Sequence, residues 1–111
     1  MVYIHQDTAY DDIIMFARAR HFNQLPVFDR EKQTFAGIVN IFDILADGEP
    51  GHKTAKDYMK PPQLVSQSTP VDHIMPRMRV TKQPVVLVID DSSEVVGLVS
   101  LELVLEEIVG T

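Results

Sequence analysis

The chain has 111 residues, of which 45% are hydrophobic and 23% charged, with a formal net charge of −6 and no cysteine. This is the composition of an ordinary soluble globular chain, sized for one domain or two very small halves. The totals exclude a membrane span, because no apolar run approaches the roughly 18–20 residues a bilayer requires. They also exclude a general nucleic-acid surface, which needs clustered Lys and Arg, and any disulfide or thiolate chemistry.

In chain order, Met1 is followed by "VYIHQD", without the basic start and apolar core of a secretory signal. "VYI" reads as a short β-type run. "TAYD", beginning at Thr8, fits a Thr-x-x-acid helix start in which the Thr side chain takes a free backbone N–H. The helix that follows carries Ile13, Ile14, Phe16 and Ala17 as its apolar stripe. "LPVFD" and "FAGIV" then flank the polar turn "REKQT" as a hairpin, and after Gly37 the pattern turns helical again at "IFDILA". "DGEPGHKTAKDYMKPP" is rich in Gly, Pro and charge and reads as a linker with one helical turn at "TAKDYM".

The same series then recurs. "QLV" is the second short strand, and "TPVD" the second helix start, with Pro70 at the first helical position, where its missing N–H costs nothing. Val71, Ile74, Met75 and Met78 form the stripe, "PVVLVI" and "VVGLV" flank the turn "DDSSE", and "LELVLEEIV" closes the chain as a helix. Thr8 falls on Thr69, Asp11 on Asp72 and Ile13 on Ile74 at an offset of 61, whereas Gly37 falls on Gly97 at an offset of 60. A one-residue change in an intervening turn absorbs the difference. The expected architecture is therefore α+β, two β-α-β-β-α units over residues 1–46 and 62–111 joined by a linker at 47–61. Units of this size rarely bury enough apolar surface alone, so the two are expected to pack with pseudo-twofold symmetry about a shared cleft.

These residues resemble a tandem pair of CBS (cystathionine β-synthase) domains over nearly the whole chain, with the opening of the first repeat cut short at Met1. "VGLVSLELVLEEIVG" and "DYMKPPQLV" are further similar to the CorC/HlyC transporter-associated branch. The resemblance implies a regulatory module rather than an enzyme. It also implies AMP or ATP as ligand, with or without magnesium, a homodimer, and attachment to the chain's own membrane domain, on the cytoplasmic side, in a magnesium or other cation transporter or hemolysin-like protein. A purely structural dimerisation module with a degenerate nucleotide site is the alternative.

In nucleotide-binding members of that family a Gly-x-x-Thr/Ser-x-x-Asp/Asn corner brings backbone near the ligand. It offers a hydroxyl at a helix start, and its acid accepts hydrogen bonds from the ribose hydroxyls. Here the first copy offers Gly37, Asn40 and Asp43, with Asn40 departing from the usual hydroxyl. Helix capping by Asn40 and Asp43 is the competing explanation. By the same analogy Pro26, Val27, Phe28 and Ile38, with Val39, line an adenine face, although ordinary core packing explains Val27 and Val39 as well. The second copy has Gly97 and Ser100 but Leu103 where the acid belongs, so its site is expected to be empty of nucleotide. Arg77, Arg79 and Lys82 are candidates for phosphate or simply for surface solvation.

Other chemistry finds little footing. The four histidines, His5, His21, His52 and His73, lack metal-ligand spacing, and Asp7, Asp11 and Asp12 read as acids of a first helical turn rather than a cation site. No nucleophile–base pair stands in a recognisable context. The apolar positions Leu101, Val104, Leu105 and Ile108 of the last helix suit either a dimer contact or packing within the subunit.

Overall fold

The computed structural model describes residues 2–81 and 85–100, with the side chains of Val80 and Thr81 left aside. The chain divides into two compact units, Val2–Pro62 and Gln63 onward.

In the first unit, β1 (Ile4–His5) lies parallel to β2 (Gln24–Asp29), and β2 runs antiparallel to β3 (Thr34–Asn40), giving the sheet order β1-β2-β3. Helix α1 (Tyr10–Arg20) crosses over between the two parallel strands, and β3 runs directly into the short α2 (Ile41–Leu45). The core is formed by Ile4, Ile13, Ala17, Leu25, Val27, Val39, Ile41 and Ile44, together with Ala55 from α3 (Ala55–Tyr58). Each large aliphatic buried there is worth about 1.5–3 kcal/mol of transfer free energy. Ile13 and Ala17 of the expected stripe are in this core, and Ile14 and Phe16 pack against it half-buried.

The segment 47–61, expected as a linker, is built into this unit. Tyr10 N–H donates to the Lys53 carbonyl (3.1 Å), Ala55 N–H to Thr8 (2.9 Å) and Lys56 N–H to Gln6 (3.0 Å). Ile38 and Lys60 exchange both backbone bonds at 2.9 Å. The helical turn expected at "TAKDYM" is α3, started by a reciprocal capping box between Thr54 and Asp57.

These ties also correct the expected start of α1. Its N-cap is Ala9, and the Thr8 hydroxyl instead accepts from His5 N–H at 3.1 Å. The Lys53 carbonyl has already taken the N–H of Tyr10, so part of the capping comes from residues far along the chain. Asp11 and Asp12 do stand in the first turn, where the helix dipole favours them.

The second unit repeats the plan: β4 (Leu64–Ser66) parallel to β5 (Val85–Ile89), β5 antiparallel to β6 (Val95–Ser100), order β4-β5-β6, with α4 (Val71–Thr81) as the crossover helix. Val65, Ile74, Met78 and Val86 make its core. Val71, expected on the apolar stripe, is exposed instead, and α4 carries Pro76 within its length.

The duplication extends to irregularities. Val27 pairs with Gly37 and Val88 with Gly97, and each strand shifts register immediately afterwards, at Val27/Phe28 and Val88/Ile89. Asp29 accepts from Glu31 and Lys32 N–H in one hairpin, and Asp90 from Ser92 and Glu94 N–H in the other. Gln33 and Ser93 hold matching positive φ angles of 52° and 64°. The missing residue of the second copy therefore lies in the turn between Asp90 and Ser93. Lys82, Leu103 and the stretch "LELVLEEIV" lie outside the described residues.

Candidate functional site

The first corner begins where β3 becomes α2. Asn40 is the N-cap, in an extended conformation (φ −97°, ψ 120°), and its side-chain oxygen accepts from Phe42 N–H at 2.9 Å. Asp43 stands in the first turn beyond it, its side chain 46% exposed. The Lys60 ammonium lies 3.5 Å from the Asp43 Oδ2. The corner thus brings a carboxylate, an amide and an ammonium together within one unit.

Gly37 is explained by crowding. A Cβ built on it would lie 2.6 Å from the Lys60 carbonyl oxygen and 3.0 Å from Met59 Cβ, so no side chain fits without moving backbone. The close approach that the sequence assigns to a ligand is made here by the chain's own residues 59–60. Gly97 is in the opposite situation, with no heavy atom of the described residues within 4 Å of its Cβ position.

The other expected pocket residues divide by burial. Pro26 and Val27 are fully buried and Ile38 nearly so, with Val27 and Val39 among the core residues. Phe28 is half-buried and belongs to an aromatic group with Tyr3 and Phe35, ring centroids 5.2–5.4 Å apart. Phe28 also lines a cleft of about 390 Å³ with His5, Gln6, Asp7, Asp29, Arg30, Glu31 and Lys56. That cleft sits at the hairpin end of the sheet, because His5 pairs with Phe28 next to the turn, whereas Asn40 pairs with Gln24 at the other end. Phe28 and Asp43 are therefore at opposite ends of the strands. Among the proposed phosphate candidates, Arg79 is exposed and donates to Met75 Sδ at 3.5 Å.

Two groups escaped sequence reading. Lys60 is one; only its position six residues after Thr54, in a stretch taken for linker, was visible. The other is a group just beyond α2: Asp47 Oδ2 accepts from Lys53 Nζ (2.8 Å) and from the Tyr58 hydroxyl (2.7 Å), and its Oδ1 from Glu49 N–H (2.9 Å). The Lys53 bond, then those from Tyr58 and Glu49, holds the Asp47 carboxyl down at about 2. Loss of water around Tyr58, reinforced by Asp47, pushes its phenol up to about 12. These groups are locked in their ordinary charge states and act as a brace. Among the described residues no cluster of three metal-ligating side chains forms, and no helix is long and apolar enough to cross a membrane.

A duplicated three-stranded sheet with a crossover helix is the CBS plan, and the CBS domain family model matches residues 55–110. The chain belongs to the CBS domain family. Within it, the chain is similar to the CBS domain of a bacterial CNNM/CorC family Mg2+ transporter (25% identity, TM-score 0.89, covering 100% of this chain and 69% of that one). The same domain solved in complex with ATP matches at 26% identity and TM-score 0.89, covering 99% of this chain and 80% of that one. Among curated proteins, UPF0053 protein MG146 of Mycoplasma genitalium is 29% identical over 93 residues, which are 82% of this chain and 22% of that protein. The chain thus spans about a fifth of that relative's length.

Proposed function

We propose that this chain is a regulatory, adenine-nucleotide-sensing module that serves a CorC/HlyC-like cation transporter from the cytoplasmic side of the membrane. The observation that carries this reading is the Asp43 carboxylate, half exposed one turn into α2 at the Gly37–Asn40–Asp43 corner. It is joined by the likeness to a transporter CBS domain that was solved with ATP. Asp43 accepts the ribose hydroxyls, and Asn40 offers its amide donors beside it. A homodimer and a membrane domain borne on the same polypeptide complete the proposal, with AMP or ATP as ligand, magnesium accompanying the latter.

A second reading has its own support. Asn40 already spends its oxygen on Phe42 N–H, and Asp43 already has an internal partner in Lys60. Both fit a corner kept for stability, in a module whose role is dimerisation.

Melting curves with AMP, ADP, ATP and S-adenosylmethionine, each with and without magnesium, separate the two. Ligand at a hundred times its dissociation constant adds about 2.7 kcal/mol to the folded state. A shift that Asp43→Ala abolishes and Ser100→Ala preserves supports sensing at the first corner. No shift with any of these compounds leaves the dimerisation reading.

A further inference from the structure

We infer that Lys60 makes the first corner selective for phosphorylated adenosine over the bare nucleoside, an inference that rests on the nucleotide-sensing reading just given. Two observations single this lysine out. Its backbone is fixed: Lys60 N–H and C=O both bond Ile38 at 2.9 Å, beside a glycine that tolerates no side chain because the Lys60 carbonyl is there. Its side chain is placed: the ammonium lies 3.5 Å from Asp43, yet remains 68% exposed. A surface ion pair of this kind contributes little to stability, so the ammonium can leave Asp43 for another anion at little cost.

The chemistry of the pair gives the selectivity. When ribose hydroxyls donate to Asp43, they compete with the ammonium for the carboxylate oxygens. Lysine is a point charge on a flexible four-carbon stem, so the displaced ammonium stays within reach of the sugar while its backbone does not move. A phosphate on that sugar supplies a new anionic partner, whereas adenosine leaves the ammonium with water alone. Charge-assisted bonds to phosphate are among the stronger hydrogen bonds available.

The test is titration calorimetry of AMP and adenosine against the chain and its Lys60→Met and Lys60→Arg variants, with melting temperatures checking that each variant is folded. The expected result is an AMP-to-adenosine affinity ratio that falls about tenfold or more in Lys60→Met. Adenosine itself should bind no more weakly there, and Lys60→Arg should keep most of the ratio. An unchanged ratio in folded Lys60→Met overturns the inference and leaves the sensing reading standing. Absence of any binding to the unmodified chain, or binding that Asp43→Asn does not weaken, overturns the sensing reading and this inference with it.

Discussion

The carbonyl oxygen of Lys60 lies 2.6 Å from where a Cβ on Gly37 would stand, while the same construction on Gly97 meets none of the described residues within 4 Å. Two glycines that match in the repeat thus serve different purposes. One admits the chain's own residues 59–60; the other meets no crowding among the described residues.

Alanine at the two positions should therefore behave differently. Gly37→Ala must push residues 59–60 away and put at risk both bonds between Ile38 and Lys60, each worth about 1 kcal/mol net. We expect a loss of about 2 kcal/mol or more, seen as a lower urea midpoint. Gly97→Ala should change stability by less than about 1 kcal/mol, with a gain favoured, since Gly is entropically costly in a strand. Equal losses at both sites would contradict the crowding at Gly37.

The Asp47 brace sets an acid limit on stability. Its carboxyl is held at about 2, against about 3.9 in an unfolded chain, so the unfolded state binds the proton first as pH falls. The contribution is complete above about pH 5 and disappears as pH drops toward 2. Melting temperature followed from pH 7 to pH 2 should show Asp47→Asn less stable at neutral pH and converging on the parent at the acid end. Tyr58 acts at the other extreme: its phenol is raised to about 12, so its contribution is intact below about pH 10 and is lost as pH rises through 12. Tyr58→Phe should flatten that alkaline limb.

His21 terminates α1 in the left-handed region, at φ 58° and ψ 35°. A non-glycine residue there costs about 1–2 kcal/mol, and glycine is the usual helix terminator at this place. His21→Gly should stabilise the fold by up to about 1 kcal/mol once the greater freedom of glycine in the unfolded chain is subtracted, read as a higher melting temperature. A fall in melting temperature would show that His21 holds contacts that outweigh its backbone.

Asn40 caps α2 through its side-chain oxygen. Asn40→Ala should cost about 1 kcal/mol in chemical denaturation, and Asn40→Ser, which restores the hydroxyl usual in the family, should cost almost nothing. If the corner binds nucleotide, the serine variant should also bind it at least as well as the parent in the melting series.

Much of this architecture was legible from periodicity. The β-α-β-β order, the hairpin turns at 30–34 and 90–94 and the one-residue offset were all readable, because alternating and helical apolar patterns repeat at fixed spacing. What was illegible depended on contacts distant in sequence. Thr8 looked like a helix cap because its local spacing is right, but Lys53, far down the chain, satisfies the Tyr10 N–H instead. Residues 47–61 looked like linker because Gly, Pro and charge dominate them, while the groups that anchor the segment, among them the Ala55 side chain and the backbone of Lys53 and Lys60, carry no local signature. The Asp43 position was visible from the motif; its Lys60 partner was not, since an isolated lysine among prolines gives no periodic signal. Val27 illustrates the converse, a residue assigned by analogy to a pocket wall that the structure seats in the core.

The location of Ala55 bears on how such a protein can be taken apart. The family match begins at this residue, yet its side chain is fully buried among Ile4, Ile13 and Ile44. A gene fragment trimmed at residue 46, the end expected for the first repeat, would encode a product with a hole in its interior and several amide groups stranded. Anyone expressing the amino-terminal half by itself should keep the codons through Pro62.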